Sequence, residues 1–230
     1  MINHAEVIAF DADDTLWSNE PHFRDTENRY IGLLAKYDAP ERISAALYRT
    51  ETANMELLGY GAKAFTISML ETAVQIAGER LTARETAQII EWGKSLLRIP
   101  ILPLEGVRET LEKLKERNRY RLVVATKGDL LDQESKLERS GLADCFEHTE
   151  VMSDKGEKEY ARLMARLGVS PDRFVMVGNS LRSDIRPVLA LGGYAVYIPF
   201  EVTWEHEKAE PFEHPRLRQL SRFEELTGLF

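Results

Sequence analysis

The chain begins with a short apolar run, Glu6 to Phe10, that stops abruptly at the polar string DADDT. An apolar run of that length ended by polar residues predicts a buried strand followed by a loop. From about Pro21 to Arg98 the texture changes. Ala, Leu, Glu and Arg recur at helical spacing, and no strand pattern interrupts them. Four helices are predicted, near 22–37, 41–58, 62–78 and 83–98. Pro40 suits the start of a helix, and Thr82 with Glu85 makes a capping box.

Pro100 and Pro103 punctuate the chain, and the pattern then alternates. A helix near 105–117 precedes the Val- and Leu-rich run Tyr120 to Ala125. A helix near 129–140, closed by Gly141, leads to a short strand near 146–152. A helix near 157–167, ended by Gly168, leads to the strand Arg173 to Val177. A last helix near 182–191 is followed by Gly192-Gly193 and the strand Tyr194 to Ile198. Alternating strands and helices mean right-handed crossovers and a mostly parallel sheet. Because the first strand stands so far from the second, the expected fold is α/β: a doubly wound, Rossmann-like core with a four-helix domain inserted. The core is expected to cover 1–17 and 100–230, and the insert 18–99. The acidic stretch from about Glu205 to Pro215 reads as surface loop.

Composition narrows the functional classes. The 230 residues are 43% hydrophobic and 30% charged, which is ordinary for a globular chain. A net charge of −8 argues against a non-specific nucleic-acid binder, which needs a basic face. No run of 18 apolar residues predicts a membrane span, and MINHAEVIAF lacks the cationic start and long apolar stretch of a secretory signal. The single cysteine, Cys145, cannot form an internal disulfide, so a cytoplasmic setting is expected. Nothing in the pattern fixes an oligomeric state.

Four polar clusters each follow a predicted strand. They are Asp11, Asp13 and Thr15; then Thr126, Lys127 and Gly128; then Asp154 and Lys155; then Gly178, Asn179, Ser180 and Asp184. In open α/β sheets ligands bind beyond the carboxyl ends of the strands, so all four converge on one edge. Three aspartates within four residues, Asp11, Asp13 and Asp14, repel one another unless a cation joins them. Mg²⁺ suits such a place, because it takes oxygen ligands and sits between carboxylates and phosphate. Lys155 would neutralise charge, and the Thr126 hydroxyl with the following backbone N–H groups would bind phosphoryl oxygens. An EF-hand reading fails, since the sixth and twelfth positions from Asp11 are Leu16 and His22. GYGAKA, from Gly59, mimics a dinucleotide fingerprint, but no strand precedes it and a turn between helices is expected.

The set FDADDTLW, VATKGD, SDKGEKEY and VGNSLRSDI resembles the haloacid dehalogenase superfamily of phosphotransferases. The resemblance covers nearly the whole chain, and the helical insert resembles the cap that family places between its first and second motifs. It implies a phosphatase acting on a small phosphorylated metabolite, with Asp11 as nucleophile forming an aspartyl-phosphate. It implies Asp13 as general acid and then base, with Thr126 and Lys155 holding the phosphoryl group. Mg²⁺ would be ligated by Asp11, the Asp13 backbone carbonyl and Asp184. A second acidic residue at Asp13 favours phosphoryl transfer over dehalogenation.

Two positions depart from the common pattern. Lys127 stands where many members have Asn; it could meet substrate through its N–H or its ammonium. Asn179 stands where many have Asp; it could reach the metal through its carbonyl oxygen or through water, with one negative charge fewer. Lys155 is preferred over Lys158 as the third-motif lysine. A mutase or other phosphotransferase with the same site, and a receiver-like phospho-aspartate module, are the alternatives.

Overall fold

The computed structural model describes residue 2 and residues 4–230. Six strands form one parallel sheet in the order β3-β2-β1-β4-β5-β6. They are β1 (Val7–Phe10), β2 (Arg121–Lys127), β3 (His148–Met152), β4 (Phe174–Gly178), β5 (Tyr194–Tyr197) and β6 (Leu217–Gln219). The central strand β1 pairs with β2 and β4, placing Phe10 opposite both Val124 and Val177. Both of its faces are buried, which is why it reads as an unbroken apolar run. Val7 and Ala9 join Val123, Ala125, Phe174 and Met176 in one core layer. Phe10, on the opposite face, meets Phe146 edge-on and Phe223 at a tilt.

The helices of this sheet unit are α5 (Val107–Glu116), α6 (Leu130–Ser140), α7 (Glu157–Leu167) and α8 (Arg186–Ala190). A wide π-helical turn, Leu181–Ile185, stands ahead of α8, where one regular helix was expected. Pro187 has no N–H and sits in the first turn of α8, where the helix needs none. β6 was not foreseen. It is three residues long and pairs parallel to β5, Ala195 opposite Leu217.

The chain divides into two compact units. The sheet unit comprises residues 1–20, 101–127 and 133–230, and the other comprises 21–100 with 128–132. The second unit is helical, built of α1 (Glu20–Leu34), α2 (Pro40–Leu58), α3 (Ala62–Ala77) and α4 (Ala83–Leu96). Tyr30, Leu34, Ile43, Leu47, Met69, Ala73 and Ile89 form its core, spaced at the helical period the sequence shows. Pro40 opens α2, and the capping box of Thr82 and Glu85 opens α4. Gly59 and Gly61 both have positive φ in the turn between α2 and α3. Among the described residues no helix is long and apolar enough to cross a membrane.

Candidate active site

The strand order reverses between β1 and β4, and the polar residues gather where these two strands end. Asp11 follows β1 directly, and its N–H still donates to Val177 of β4 at 2.9 Å, which pins it to the sheet edge. The loop then turns tightly. Leu16 donates to the Ala12 carbonyl at 2.8 Å, and Asp14 donates to the Trp17 carbonyl at 2.7 Å. Asp14 takes a left-handed φ of 63°, a conformation aspartate tolerates better than most residues. Its carboxylate accepts from the N–H groups of Asn19 and Glu20, and burial pushes its pKa up to about 7.

Lys155 reaches the same point from the loop after β3. Its ammonium bonds Asp11 Oδ1, and it donates to Asp184 Oδ1 at 2.7 Å. All three side chains are buried. Burial lifts the Asp11 carboxyl to about 7, against the opposing pull of Lys155. Burial would lower Lys155, but Asp11 and Asp184 outweigh it and hold the ammonium above the usual lysine range. Lys158 lies exposed on α7 and does not join this group.

Asp184 comes from the π-helical turn. Its second oxygen accepts the Ser180 N–H at 3.0 Å, and the Tyr160 hydroxyl stands 3.5 Å from the first. Ser180 starts the turn by accepting the Ser183 N–H on its hydroxyl at 3.0 Å. The Asp184 side chain lies against Gly178, where an added Cβ would meet its Oδ2 at 2.3 Å. Glycine at 178 therefore makes room for the carboxylate. Thr15 Oγ1 stands 3.3 Å from Asp11 Oδ2 and 3.1 Å from Asn179 Oδ1. Its single proton serves one acceptor at a time, so it links the ends of β1 and β4.

Thr126, buried, is the next-to-last residue of β2. Gly128 has φ 143°, which favours glycine, and belongs to the helical unit's segment 128–132. The Lys127 ammonium is turned toward Glu207, with which it forms an ion pair, and it donates to Ser183 Oγ at 3.1 Å. The Glu207 carboxylate also accepts from the hydroxyls of Ser180 and Ser183. The stretch 205–215, expected as plain surface loop, thus sends Glu207 inward, next to the buried His206. Burial would raise Glu207, but Lys127 and the two serines hold it below the usual carboxylate range.

Asp13 points to a different set of partners. It accepts from Trp17 Nε1 at 2.7 Å, Gln133 Nε2 at 2.7 Å and Lys136 Nζ at 3.1 Å. Sequence reasoning missed Gln133, Lys136, Trp17 and Glu207 in these roles. For the first two a shared face was readable, since they sit three apart on the helix that follows β2, but not what that face meets.

The oxygen donors suit a hard divalent cation. Asp11 and Asp184 offer carboxylates and Asn179 an amide oxygen. Among the described residues no group of three or more His, Cys, Asp or Glu is assembled for a metal. Two carboxylates agree with Mg²⁺, which keeps several waters and needs only one or two.

A six-stranded parallel sheet whose strand order reverses beside an acidic loop defines a doubly wound α/β protein. The chain belongs to the haloacid dehalogenase-like hydrolases, whose family model matches residues 5–192. A haloacid dehalogenase-like family hydrolase from Xanthomonas campestris superposes with a TM-score of 0.85 at 38% identity, over 95% of this chain and 87% of that one. A glyceraldehyde 3-phosphate phosphatase of Methanothermobacter thermautotrophicus is 33% identical over 106 residues, 44% of this chain and 46% of the relative. A second one, of Pyrococcus furiosus, is 28% identical over 124 residues, 50% of this chain and 51% of the relative. The chain spans about half the length of these two curated relatives.

Proposed function

We propose that the protein is a magnesium-dependent phosphatase that hydrolyses a small phosphorylated metabolite through an aspartyl-phosphate on Asp11. The observation that carries this reading is the Lys155 ammonium, shared by the buried carboxylates of Asp11 and Asp184 at the switch point of the sheet. The phosphatase names of the two curated relatives support the same substrate class.

Asp11 attacks phosphorus, the P–O bond to the leaving group breaks, and Asp13 gives its proton to the departing alkoxide. Asp13 then takes a proton from water as the water oxygen attacks phosphorus. The bond to Asp11 breaks, and inorganic phosphate leaves with Asp13 reprotonated. Lys155, the Thr126 hydroxyl and the backbone N–H groups of Lys127 and Gly128 stabilise the equatorial oxygens. Thr15 orients Asp11 and Asn179. Mg²⁺ would be held by Asp11, the Asp13 carbonyl, Asp184 and Asn179, and would supply positive charge that screens phosphate from carboxylate. The catalytic core is assigned to 1–17 and 100–230, and the helical insert 18–99 to choosing the leaving group.

The test is phosphate release by the full chain with Mg²⁺ from a panel of phosphoesters that includes glyceraldehyde 3-phosphate, sugar phosphates, nucleotides and phosphoglycolate. One or more esters should be cleaved, and Asp11→Asn should abolish turnover while leaving the fold intact. An Asp11→Asn variant with full activity, or a wild-type chain inert toward the whole panel, overturns the reading.

A further inference from the structure

Helix α6 buries a polar face. Gln133, Lys136 and Ser140 are all buried, although a polar stripe on a helix ordinarily faces water. The Lys136 side chain is only 2% exposed, and a buried ammonium needs a compensating anion. Its Nζ stands 3.1 Å from each oxygen of Asp13 and 2.8 Å from Asn19 Oδ1. Gln133 Nε2 reaches Asp13 Oδ2 at 2.7 Å, and Trp17 Nε1 reaches Asp13 Oδ1 at 2.7 Å. The Trp17 ring is fully buried and cannot turn away. Each Asp13 oxygen therefore meets two donors, one of them shared, and the donors come from two separate stretches of chain. Gln133 Oε1 is buried without a hydrogen-bond partner. The helix thus carries an amide whose donor end is used on Asp13 at the expense of its acceptor end. An orphaned buried carbonyl costs stability. That arrangement is hard to explain by folding alone.

We infer that Lys136, Gln133 and Trp17 form a seat that aims Asp13, one of these contacts opening each time an Asp13 oxygen takes up or carries the proton, which makes Lys136 a positioning residue for proton transfer to and from the reacting oxygens. This rests on the reading of Asp13 as the general acid and base. It adds α6, the helix behind the second motif, to the machinery, and it places no new group against the substrate. Fixing a proton-transfer group in line contributes roughly 10²–10⁴-fold when the leaving group is poor. A leaving group that departs unaided needs no acid in the first step, but water attack on the aspartyl-phosphate still needs the base. Loosening the seat should therefore slow both steps for an alkyl phosphate and only the second for p-nitrophenyl phosphate.

The test compares wild type, Lys136→Met and Trp17→Phe on an alkyl phosphate and on p-nitrophenyl phosphate, in the presence of Mg²⁺. The alkyl ester should lose about 100-fold in kcat with Lys136→Met. With p-nitrophenyl phosphate the variant should show a burst of nitrophenol and accumulate phosphorylated enzyme. Trp17→Phe, which keeps the ring and removes one N–H, should show the same pattern more weakly, and Lys136→Arg should recover part of the alkyl rate. Equal losses on both esters with no burst would mean a merely structural lysine and overturn the inference, as would unchanged kcat on both. The wild-type rates separate the two readings: a wild type inert on every ester sinks the phosphatase itself, whereas an active wild type matched by Lys136→Met sinks only the seat.

Discussion

The ammonium of Lys127 is paired with the carboxylate of Glu207, 80 residues further along the chain. Both side chains are largely buried, at 16% and 13% exposure. Glu207 also receives the hydroxyls of Ser180 and Ser183, so one carboxylate ties the end of β2 to the loop that carries Asp184. Removing the carboxylate leaves a partly buried ammonium beside the proposed phosphoryl site. Glu207→Gln should cost about 1–3 kcal/mol, measurable by urea unfolding. It should also tighten competitive inhibition by inorganic phosphate, because the Lys127 charge is then no longer offset by the Glu207 carboxylate. A stable variant with unchanged phosphate inhibition would show that the pair does not tune Lys127.

Lys155 and Lys158 should separate cleanly. Lys155 neutralises two buried carboxylates, and Lys158 stands in solvent on α7. Lys155→Ala strands Asp11 and Asp184 without their cation, which should cost about 3–5 kcal/mol in metal-free protein and abolish turnover. Lys158→Ala should change stability by less than about 0.5 kcal/mol and leave kcat near wild type. Thermal unfolding and phosphate release on the two variants decide the assignment; the reverse pattern would transfer the role to Lys158.

Gly178 has a narrower task. Because a Cβ there would meet Asp184 Oδ2 at 2.3 Å, Gly178→Ala must displace a fully buried carboxylate or the strand end behind it. A cost of about 1–3 kcal/mol is expected from the overpacking alone. Activity should fall further than stability explains, because Asp184 moves relative to Lys155. Measuring kcat at a temperature where both proteins are fully folded isolates that second effect.

The helical unit should carry its own acid sensitivity. Glu85 accepts from Lys36 at 2.7 Å, from the Thr82 N–H at 2.9 Å and from the Tyr37 hydroxyl at 3.0 Å. The Lys36 bond first, then those from Thr82, hold its carboxyl down at about 2, against an ordinary 4.5. A carboxylate depressed by folding stabilises the native state at pH above its unfolded value, and that stabilisation is lost as pH falls. Circular dichroism melts should therefore show stability declining between about pH 4.5 and about pH 2. Glu85→Gln should flatten the part of that decline belonging to this residue. A variant with the same acid profile as wild type would remove Glu85 from the account.

Much of this molecule was readable as pattern, and what escaped did so for physical reasons. β1, β2 and β4 are buried on both faces, so each shows as an apolar run bounded by polar loops. Tyr30 with Leu34, Ile43 with Leu47, and Met69 with Ala73 recur at helical spacing because one stripe of each helix faces the bundle core. Asp11 stands at a strand end, and Lys155 and Asp184 stand in the segments that follow β3 and β4, so the topology brings them to one edge of the sheet. β6 escaped because three residues, Leu-Arg-Gln, carry no alternation and two of them are exposed. Lys136 and Gln133 escaped because a polar stripe on a helix predicts water, and only the fold reveals a carboxylate on that side. Glu207 escaped because it lies in an acidic, proline-containing stretch whose composition suggests surface. Which of its glutamates turns inward depends on Lys127, far away in sequence.

Asn179 offers the sharpest test of the metal reading. Its Oδ1 accepts from Thr15 at 3.1 Å, and a carboxylate oxygen in the same place could accept that bond equally well. Asn179→Asp would therefore change charge more than shape. Without metal, a third carboxylate joined through Thr15 to Asp11 would add like-charge repulsion, so the metal-free variant should melt below wild type. With Mg²⁺ the order should reverse, because an added anionic oxygen strengthens a hard-cation site. The Mg²⁺ concentration for half-maximal activity should fall several-fold, and the stabilisation produced by Mg²⁺ should exceed that of wild type. Paired Mg²⁺ titrations, read by activity and by melting temperature, check both halves. Equal or weaker Mg²⁺ binding in Asn179→Asp would remove Asn179 from the metal site, leaving its amide to orient Thr15.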